Sequence, residues 1–88
     1  MRILISSPYF DKKLKRFITL HSDLRPTVFN LIHSLLAEPL SKKYKTHKLS
    51  GNLKDCYGVS INKSYRIVYA FDKNNIYFLN IGSHDEVY

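Results

Sequence analysis

The sequence predicts an α+β fold in which an N-terminal strand and a helix hairpin pack on a twisted antiparallel sheet. Two observations lead to this fold class. Apolar residues recur at helical spacing up to about residue 40, and beyond it they alternate with polar residues as in strands. The later strands are joined by short polar links, which are typical of antiparallel hairpins. With 88 residues, the chain is predicted to be a single domain spanning 1–88.

The N-terminal half is predicted to hold one strand, Ile3–Ser6, and two helices. Ser7 and Pro8 pair a helix N-cap with a proline suited to the first helical turn. A break at residues 21–23 separates the helices, and Pro39 is expected to end the second one near Ala37. The apolar positions expected to face the sheet are Phe10, Leu14, Phe17 and Ile18 in the first helix and Val28, Leu31, Ile32, Leu35 and Leu36 in the second.

The C-terminal half is predicted to be a basic connector, residues 41–53, followed by strands at 57–61, 65–71 and 76–81. The middle strand alternates, so that Ile67 and Tyr69 share one face while Arg66 lies on the other. An arginine in an apolar strand is costly unless it meets solvent or an anion. Arg66 is therefore either an anion ligand or the partner of Asp55 or Asp72.

Basic residues outnumber acidic ones, and many lie in one stretch. The chain carries 14 Lys and Arg against 7 Asp and Glu, a formal net charge of +7. A polyanion or an acidic protein is the expected partner. Tyr44, Tyr57 and Tyr65 lie among these charges and favour RNA, whose bases stack on aromatic rings, although a solvated lysine surface is the simpler alternative. The lysines predicted to bind RNA are Lys42, Lys43, Lys45, Lys48, Lys54 and Lys63.

Composition argues against several other classes of protein. No apolar run approaches the roughly 18–20 residues that a membrane span needs. The single cysteine, Cys56, cannot form an internal disulfide and favours a reducing, cytoplasmic setting. No spacing of Cys and His resembles a zinc site, and no glycine-rich phosphate loop is present. We therefore expect no metal and no cofactor.

Three segments in this order resemble the RelE/ParE superfamily of bacterial toxins. They are His47-Lys48-Leu49-Ser50-Gly51, Tyr65-Arg66-Ile67-Val68-Tyr69, and Ile81-Gly82-Ser83-His84 followed by Val87-Tyr88. Each segment is a weak signal alone, but the combination in a small basic chain is most similar to the RelE and YafQ-like mRNA interferases. The resemblance covers nearly the whole chain and implies a RelE-like fold.

The resemblance implies the toxin of a type II toxin–antitoxin system, a ribosome-dependent mRNA endoribonuclease neutralised by a cognate antitoxin. In that family, mRNA in the ribosomal A site meets a concave surface formed by the sheet and a basic segment. Arg66 matches the strand arginine that contacts the scissile phosphate, and His84 matches the C-terminal catalytic histidine. Tyr88 matches an aromatic position that stacks on or orients the nucleotide. His47 matches the histidine before a Leu-x-Gly turn.

Metal-free cleavage of RNA needs a base for the 2′-hydroxyl, positive charge at the phosphate and an acid for the 5′-oxygen. Histidine can serve either proton role near neutral pH. We assign His84 as the acid and His47 as the base, with Tyr88 or a ribosomal group as alternative bases. Arg66 suits the phosphate because its planar fork binds two oxygens at once. The expected products carry a 2′,3′-cyclic phosphate and a 5′-hydroxyl.

Two other functions are open at this point, because a fold does not determine an activity. One is a ParE-like inhibitor of DNA gyrase, and the other is a catalytically inactive module that only binds an antitoxin. Ser60 and Ser64 stand where YafQ-like toxins often carry a histidine and an aspartate, which leaves the inactive module open. The presence of His84 together with Arg66 and His47 favours the nuclease.

Overall fold

A computed structural model describes residues 1–40, 46–49 and 55–88. The predicted α+β fold is confirmed. Two elements were not predicted, a short strand inside the basic connector and a helical turn after the last strand. In chain order the elements are β1 (Ile3–Ser6), α1 (Pro8–Leu20), a 3-10 turn (Ser22–Leu24), α2 (Arg25–Ala37), β2 (His47–Lys48), β3 (Tyr57–Ser60), β4 (Tyr65–Phe71), β5 (Asn75–Ser83) and α3 (His84–Val87).

The strands in the described ranges form one sheet in the order β1-β5-β4-β3-β2. The pairs β3–β4 and β4–β5 are antiparallel, as the short links predicted, and the unpredicted strand β2 is antiparallel to β3. β1 differs because it pairs with β5 in parallel, from Ile3 opposite Asn75 to Ser6 opposite Phe78. Parallel neighbours need a long crossover connection, and here the whole chain between the two strands supplies it.

The helix hairpin covers one face of the sheet, as its apolar spacing predicted. Ser7 caps α1, because its Oγ accepts a hydrogen bond from the Phe10 backbone N–H at 3.1 Å. Ile18, which was expected to face the sheet, is half-buried and lies outside the core cluster. That cluster consists of Phe10, Phe17, Val28, Leu31, Ile32, Leu35, Val59, Ile61, Ile67, Tyr69, Ile76, Phe78 and Ile81.

Strand β4 divides its side chains between the two faces of the sheet. Ile67 and Tyr69 are fully buried in the core beneath the helices, and the Tyr69 hydroxyl donates to the carbonyl oxygen of Pro39 at 2.5 Å. Because side chains alternate along a strand, Arg66 and Val68 lie on the face away from the helix hairpin. We refer to this face as the open face.

Candidate functional site

Arg66 lies at the centre of the candidate site, on the open face of β4. Its Cα pairs with Ser60 on β3 and with Gly82 on β5. Arg66 Nη1 donates to Ser60 Oγ at 2.8 Å, and the arginine is half-buried. Within the described ranges no carboxylate lies at ion-pair distance from it. One N–H of the guanidinium is thus engaged by a neutral partner, and its charge is available to an anion.

The alternative pairing of Arg66 with an aspartate is not observed. Asp72 instead organises the turn between β4 and β5, where its carboxylate accepts hydrogen bonds from the backbone N–H groups of Asn74 and Asn75. The Tyr77 hydroxyl donates to the same carboxylate at 2.7 Å. These bonds hold the pKa of Asp72 below its usual range, the bond from Tyr77 contributing most. Asp55 is exposed and makes no ion pair with Arg66.

The chain turns into a helix where the sequence predicted the end of the last strand. Ser83 caps α3, because the Glu86 backbone N–H donates to Ser83 Oγ at 3.3 Å, and the Ser83 N–H donates to Glu86 Oε1 at 3.0 Å. Such a capping box satisfies two otherwise unpaired backbone donors. Hydrogen bonds from Ser83, together with the nearby positive charges of Lys13 and Arg16, keep the pKa of Glu86 low. His84 therefore opens α3 rather than ending β5.

Tyr88 follows α3 and contacts both His84 and the sheet. The rings of His84 and Tyr88 meet edge to face, with centroids 4.6 Å apart and an interplanar angle of 86°. The Tyr88 hydroxyl lies over Gly58 of β3. Burial raises the pKa of this hydroxyl, and Arg66 is near enough to oppose that shift. Tyr88 thus lies against the His84 ring of α3 and over Gly58 of β3, close to Arg66 of β4.

His84 itself is open to solvent, its side chain being 63% exposed. Its Nδ1 lies 3.6 Å from Asp85 Oδ1. This contact leaves Nε2 without a partner among the residues that the structure describes. An imidazole so placed can exchange a proton with a molecule bound on the open face.

The residue before Tyr88 anchors α3 to the sheet. Val87 is 7% exposed and Val68 of β4 is 2% exposed, yet neither belongs to the core under the helix hairpin. α3 contacts β4 and β5, and Val87 is its buried residue. The end of the chain therefore contributes apolar burial.

The structure describes only some of the other predicted site residues. Lys48 and Lys63 are exposed, Lys63 in the turn between β3 and β4. The backbone of His47 pairs with that of Gly58, the residue beneath the Tyr88 hydroxyl. Lys42, Lys43, Lys45 and Lys54 lie outside the described residues.

Positive charge from α1 reaches the same end of the sheet. A cavity of about 330 Å³ borders Gly82, the strand partner of Arg66, and its walls include Lys13, Arg16 and His21. Lys13 Nζ donates to Asn80 Oδ1 at 2.6 Å. These groups extend the basic surface beyond the connector that the sequence singled out.

Three contributions to the site were missed by sequence reasoning. Ser60 holds Arg66, Gly58 leaves room for Tyr88, and Ser83 with Glu86 starts α3. Only the last carried a sequence signal, since Ser-x-x-Glu is a capping-box pattern. The other two depend on which residues the sheet register brings together, which no local pattern encodes.

Comparison with known proteins defines the family. A family profile described as the bacterial toxin of type II toxin-antitoxin system, YafQ, matches residues 3–88. The chain belongs to the YafQ toxin family. The predicted resemblance to RelE and YafQ-like toxins is therefore confirmed, and this YafQ-family chain is a toxin of the type II toxin–antitoxin class. No curated protein sequence matches it.

Solved structures agree with the family assignment. A metal-bound toxin from Helicobacter pylori is 33% identical, with all of both chains covered and a TM-score of 0.84. YafQ from E. coli strain BL21(DE3) is 21% identical over 100% of this chain and 99% of its own, with a TM-score of 0.86. YafQ in the E. coli DinJ-YafQ toxin-antitoxin complex is 22% identical over 99% and 97%, with a TM-score of 0.83. At the identities of the two E. coli proteins the likeness establishes the fold.

No group of three or more His, Cys, Asp or Glu side chains in the described ranges is arranged to hold a metal ion. Among the helices of the described part, none is long and apolar enough to cross a membrane.

Proposed function

We propose that this YafQ-family toxin is an mRNA endoribonuclease that acts in the ribosomal A site. The observation that carries the proposal is the convergence of Arg66, His84 and Tyr88 on the open face of the sheet. A gyrase inhibitor or a module that only binds an antitoxin would require only a surface of complementary charge and shape. A guanidinium and a solvent-open imidazole, both close to Tyr88, supply in addition charge stabilisation and proton transfer, which are the requirements of phosphodiester cleavage.

The proposed reaction is an internal transesterification of the RNA backbone. The 2′-oxygen gives its proton to a base and bonds to the adjacent phosphorus. The bond from phosphorus to the 5′-oxygen breaks, and that oxygen takes a proton from His84. Arg66 holds the nonbridging oxygens through the N–H groups that Ser60 does not engage. The products carry a 2′,3′-cyclic phosphate and a 5′-hydroxyl.

We assign the general base to His47. Its backbone in β2 pairs with Gly58, and the Tyr88 hydroxyl lies over that same glycine, so His47 belongs to the same corner of the sheet. Tyr88 is the weaker candidate for the base. Burial raises the pKa of its hydroxyl, so the phenol keeps its proton more firmly at neutral pH.

The basic side chains are proposed to bind the RNA backbone and ribosomal RNA. Exposed Lys48 lies in the edge strand β2, and exposed Lys63 lies in the turn between β3 and β4. Contacts between lysines and phosphates release counterions, so affinity for the programmed ribosome should fall steeply with salt. Together with these two, the proposed RNA-binding lysines are Lys42, Lys43, Lys45 and Lys54.

A cognate antitoxin is the proposed protein partner. The family to which the chain belongs is defined by type II toxin–antitoxin systems, and a neighbour of the same fold is seen with DinJ in E. coli. A chain of net charge +7 is suited to an acidic segment that folds on binding. Co-purification from the native operon tests this partner, and recovery of the toxin without a small acidic protein contradicts it.

Cleavage on programmed ribosomes tests the nuclease. The purified toxin is added in excess to ribosomes carrying an end-labelled mRNA, and single-turnover rates and end groups are measured. We expect codon-linked cuts with 5′-hydroxyl ends. Arg66→Ala should lower the rate about a hundredfold, since one charge-assisted contact at the transition state is worth about 3 kcal/mol. Arg25→Ala removes the same charge from α2, where the guanidinium lies over the Phe29 ring, and should cut normally.

The same variants separate the alternatives in cells. Primer extension after induction should show mRNA cuts that Arg66→Ala abolishes at equal protein level. DNA breaks with intact mRNA would establish a gyrase inhibitor instead. Intact mRNA and intact DNA would establish a module that only binds its antitoxin, and either result overturns the proposal.

A further inference from the structure

The Tyr88 hydroxyl occupies the space that a side chain at position 58 would fill. A Cβ built on Gly58 would overlap the hydroxyl oxygen, and it would lie 3.1 Å from Tyr88 Cζ and 3.4 Å from Leu49 Cδ2. Gly58 is buried in the middle of the sheet, between β2 and β4. The absent side chain therefore creates a socket for the phenol, which we call the Gly58 socket.

The other end of the same ring holds His84. The two rings meet edge to face at 4.6 Å, and the Tyr88 backbone N–H donates to the His84 carbonyl oxygen at 3.0 Å. Aromatic pairs of this geometry contribute about 0.5–1.5 kcal/mol beyond the area that they bury. Tyr88 is therefore fixed to the sheet at its hydroxyl and to the imidazole at its ring.

α3 needs such an anchor because it is short. It spans only His84–Val87, and a helix of one turn is not stable by itself in water. The capping box of Ser83 and Glu86 holds its first residues, and Val87 is buried. Those contacts fix the backbone of the turn, whereas the exposed His84 ring has the Tyr88 ring as its aromatic contact.

We propose that Gly58 is a positioning residue of the nuclease, which seats the Tyr88 phenol so that the Tyr88 ring holds His84 beside Arg66. The inference rests on the proposed function and gives Tyr88 a different part in it. The ring orients the general acid rather than stacking on a nucleotide.

The usual effect of glycine in a strand provides a contrast. Glycine weakens a strand interior by roughly 0.5–1 kcal/mol relative to alanine. If Gly58 were only a strand residue, Gly58→Ala would stabilise β3 slightly and leave cleavage unchanged. With the socket, the added methyl group displaces the hydroxyl, the Tyr88 ring moves and His84 loses its orientation. The two readings thus predict opposite outcomes for one methyl group.

A double-mutant cycle tests the socket. Gly58→Ala should slow single-turnover cleavage at least about tenfold, because a misplacement near 1 Å can cost on the order of a hundredfold. Tyr88→Phe keeps the ring, removes the hydroxyl and sets the reference rate of the cycle. The double variant Gly58→Ala/Tyr88→Phe should regain most of the Tyr88→Phe rate, since removal of the hydroxyl relieves the overlap and leaves only the 3.1 Å approach of the Cβ to Cζ, which a small shift of the ring accommodates.

Gly58→Ala combined with Tyr9→Phe is the matched control. Tyr9 is 60% exposed on α1, so loss of its hydroxyl should rescue nothing. Affinity for the programmed ribosome should be equal in all variants, because the lysines are intact. A double variant as slow as Gly58→Ala, or a Gly58→Ala protein that cuts at the wild-type rate, overturns the positioning role.

A second readout does not depend on RNA cleavage. With the two rings 4.6 Å apart, the ring current of Tyr88 should shift the His84 ring protons in the NMR spectrum of the free protein. Gly58→Ala should move these resonances in the direction seen for Tyr88→Leu, and the double variant should return them to the Tyr88→Phe positions. If the wild-type protein cuts no RNA, the proposed function is wrong, but the NMR resonances still test whether the Gly58 socket positions His84. Resonances that do not respond to Gly58→Ala refute the socket itself.

Discussion

The Ser60 hydroxyl oxygen accepts a hydrogen bond from Arg66 Nη1 at 2.8 Å, across the pair that joins β3 to β4. A guanidinium has five N–H donors, and this bond fixes the direction of the group while leaving most of them for another ligand. Ser60 is neutral, so it orients the arginine without cancelling its charge. A cation held in place in advance needs less reorganisation when a phosphate arrives.

Replacement of Ser60 by alanine should leave Arg66 charged but less well oriented. We expect the single-turnover rate to fall about tenfold, because a hydrogen bond to a charged group contributes about 1.5 kcal/mol at the low end of its range. Ser60→Thr keeps the hydroxyl and should restore most of the rate. Ser64→Ala, in the exposed turn next to β4, is the matched control. An unchanged rate in Ser60→Ala would show that the guanidinium is oriented by other contacts.

His84→Gln tests the general acid. The amide preserves the size and polarity of the side chain but cannot deliver a proton to the 5′-oxygen. Cleavage should slow by roughly 10²–10⁴-fold, while binding to the programmed ribosome should not change. His33→Gln makes the same exchange at an exposed position on α2 and should cut normally. Wild-type cleavage by His84→Gln would eliminate the acid assignment.

Ser83→Ala should separate activity from stability. Loss of an N-cap costs about 1 kcal/mol, and here the cost falls on a helical turn that carries His84 but little of the core. We therefore expect slower cleavage with almost no change in the midpoint of thermal unfolding. Ser83→Thr retains a capping hydroxyl and should behave like the wild type. A large drop in the midpoint would mean that α3 is part of the cooperative core.

Alkaline pH should destabilise the fold through Tyr69. Burial raises the pKa of its hydroxyl in the folded state, opposed by a hydrogen bond with Thr46. The stability that the neutral phenol provides is fully present below about pH 10, the usual pKa of tyrosine, and is lost as the pH rises above it. Urea unfolding between about pH 8 and 11 should show this loss in the wild type and less of it in Tyr69→Phe.

Tyr69→Phe should also lower the free energy of unfolding at pH 8, because the Pro39 carbonyl loses its donor. Tyr9→Phe, which alters an exposed hydroxyl, serves as the control. Equal alkaline loss in the wild type and in Tyr69→Phe would contradict the assignment to Tyr69.

Local patterns in the sequence predicted most of the fold. The span Tyr65–Phe71 of β4, the break after α1 and the cap at Ser7 all follow from periodicity and capping chemistry within a few residues. The parallel partner of β1 did not follow, because strand pairing across most of the chain depends on tertiary packing. β2 has only two residues and lies in a lysine-rich segment. It is too short and too polar to show the alternation of apolar and polar residues that predicts a strand.

Family resemblance and residue chemistry together predicted part of the site. Arg66, His84 and Tyr88 were singled out from their motifs, and the structure brings them together. The partner of Arg66 was not predicted, because Ser60 is a neutral residue that becomes relevant only through the register of β3 and β4. Gly58 gave no signal, since a void shaped for a side chain 30 positions away is a long-range steric feature.

The parallel pairing of β1 with β5 limits how early the site can assemble while the toxin is being synthesised. β1 cannot pair with β5 until Asn75, the partner of Ile3, has been synthesised. Contacts of such long sequence separation also form slowly. β5 also carries Gly82 beside Arg66 and leads directly into the turn that presents His84. A nascent chain still emerging from the ribosome therefore has no assembled site, and under the proposed function it could not cut the mRNA of the ribosome that translates it.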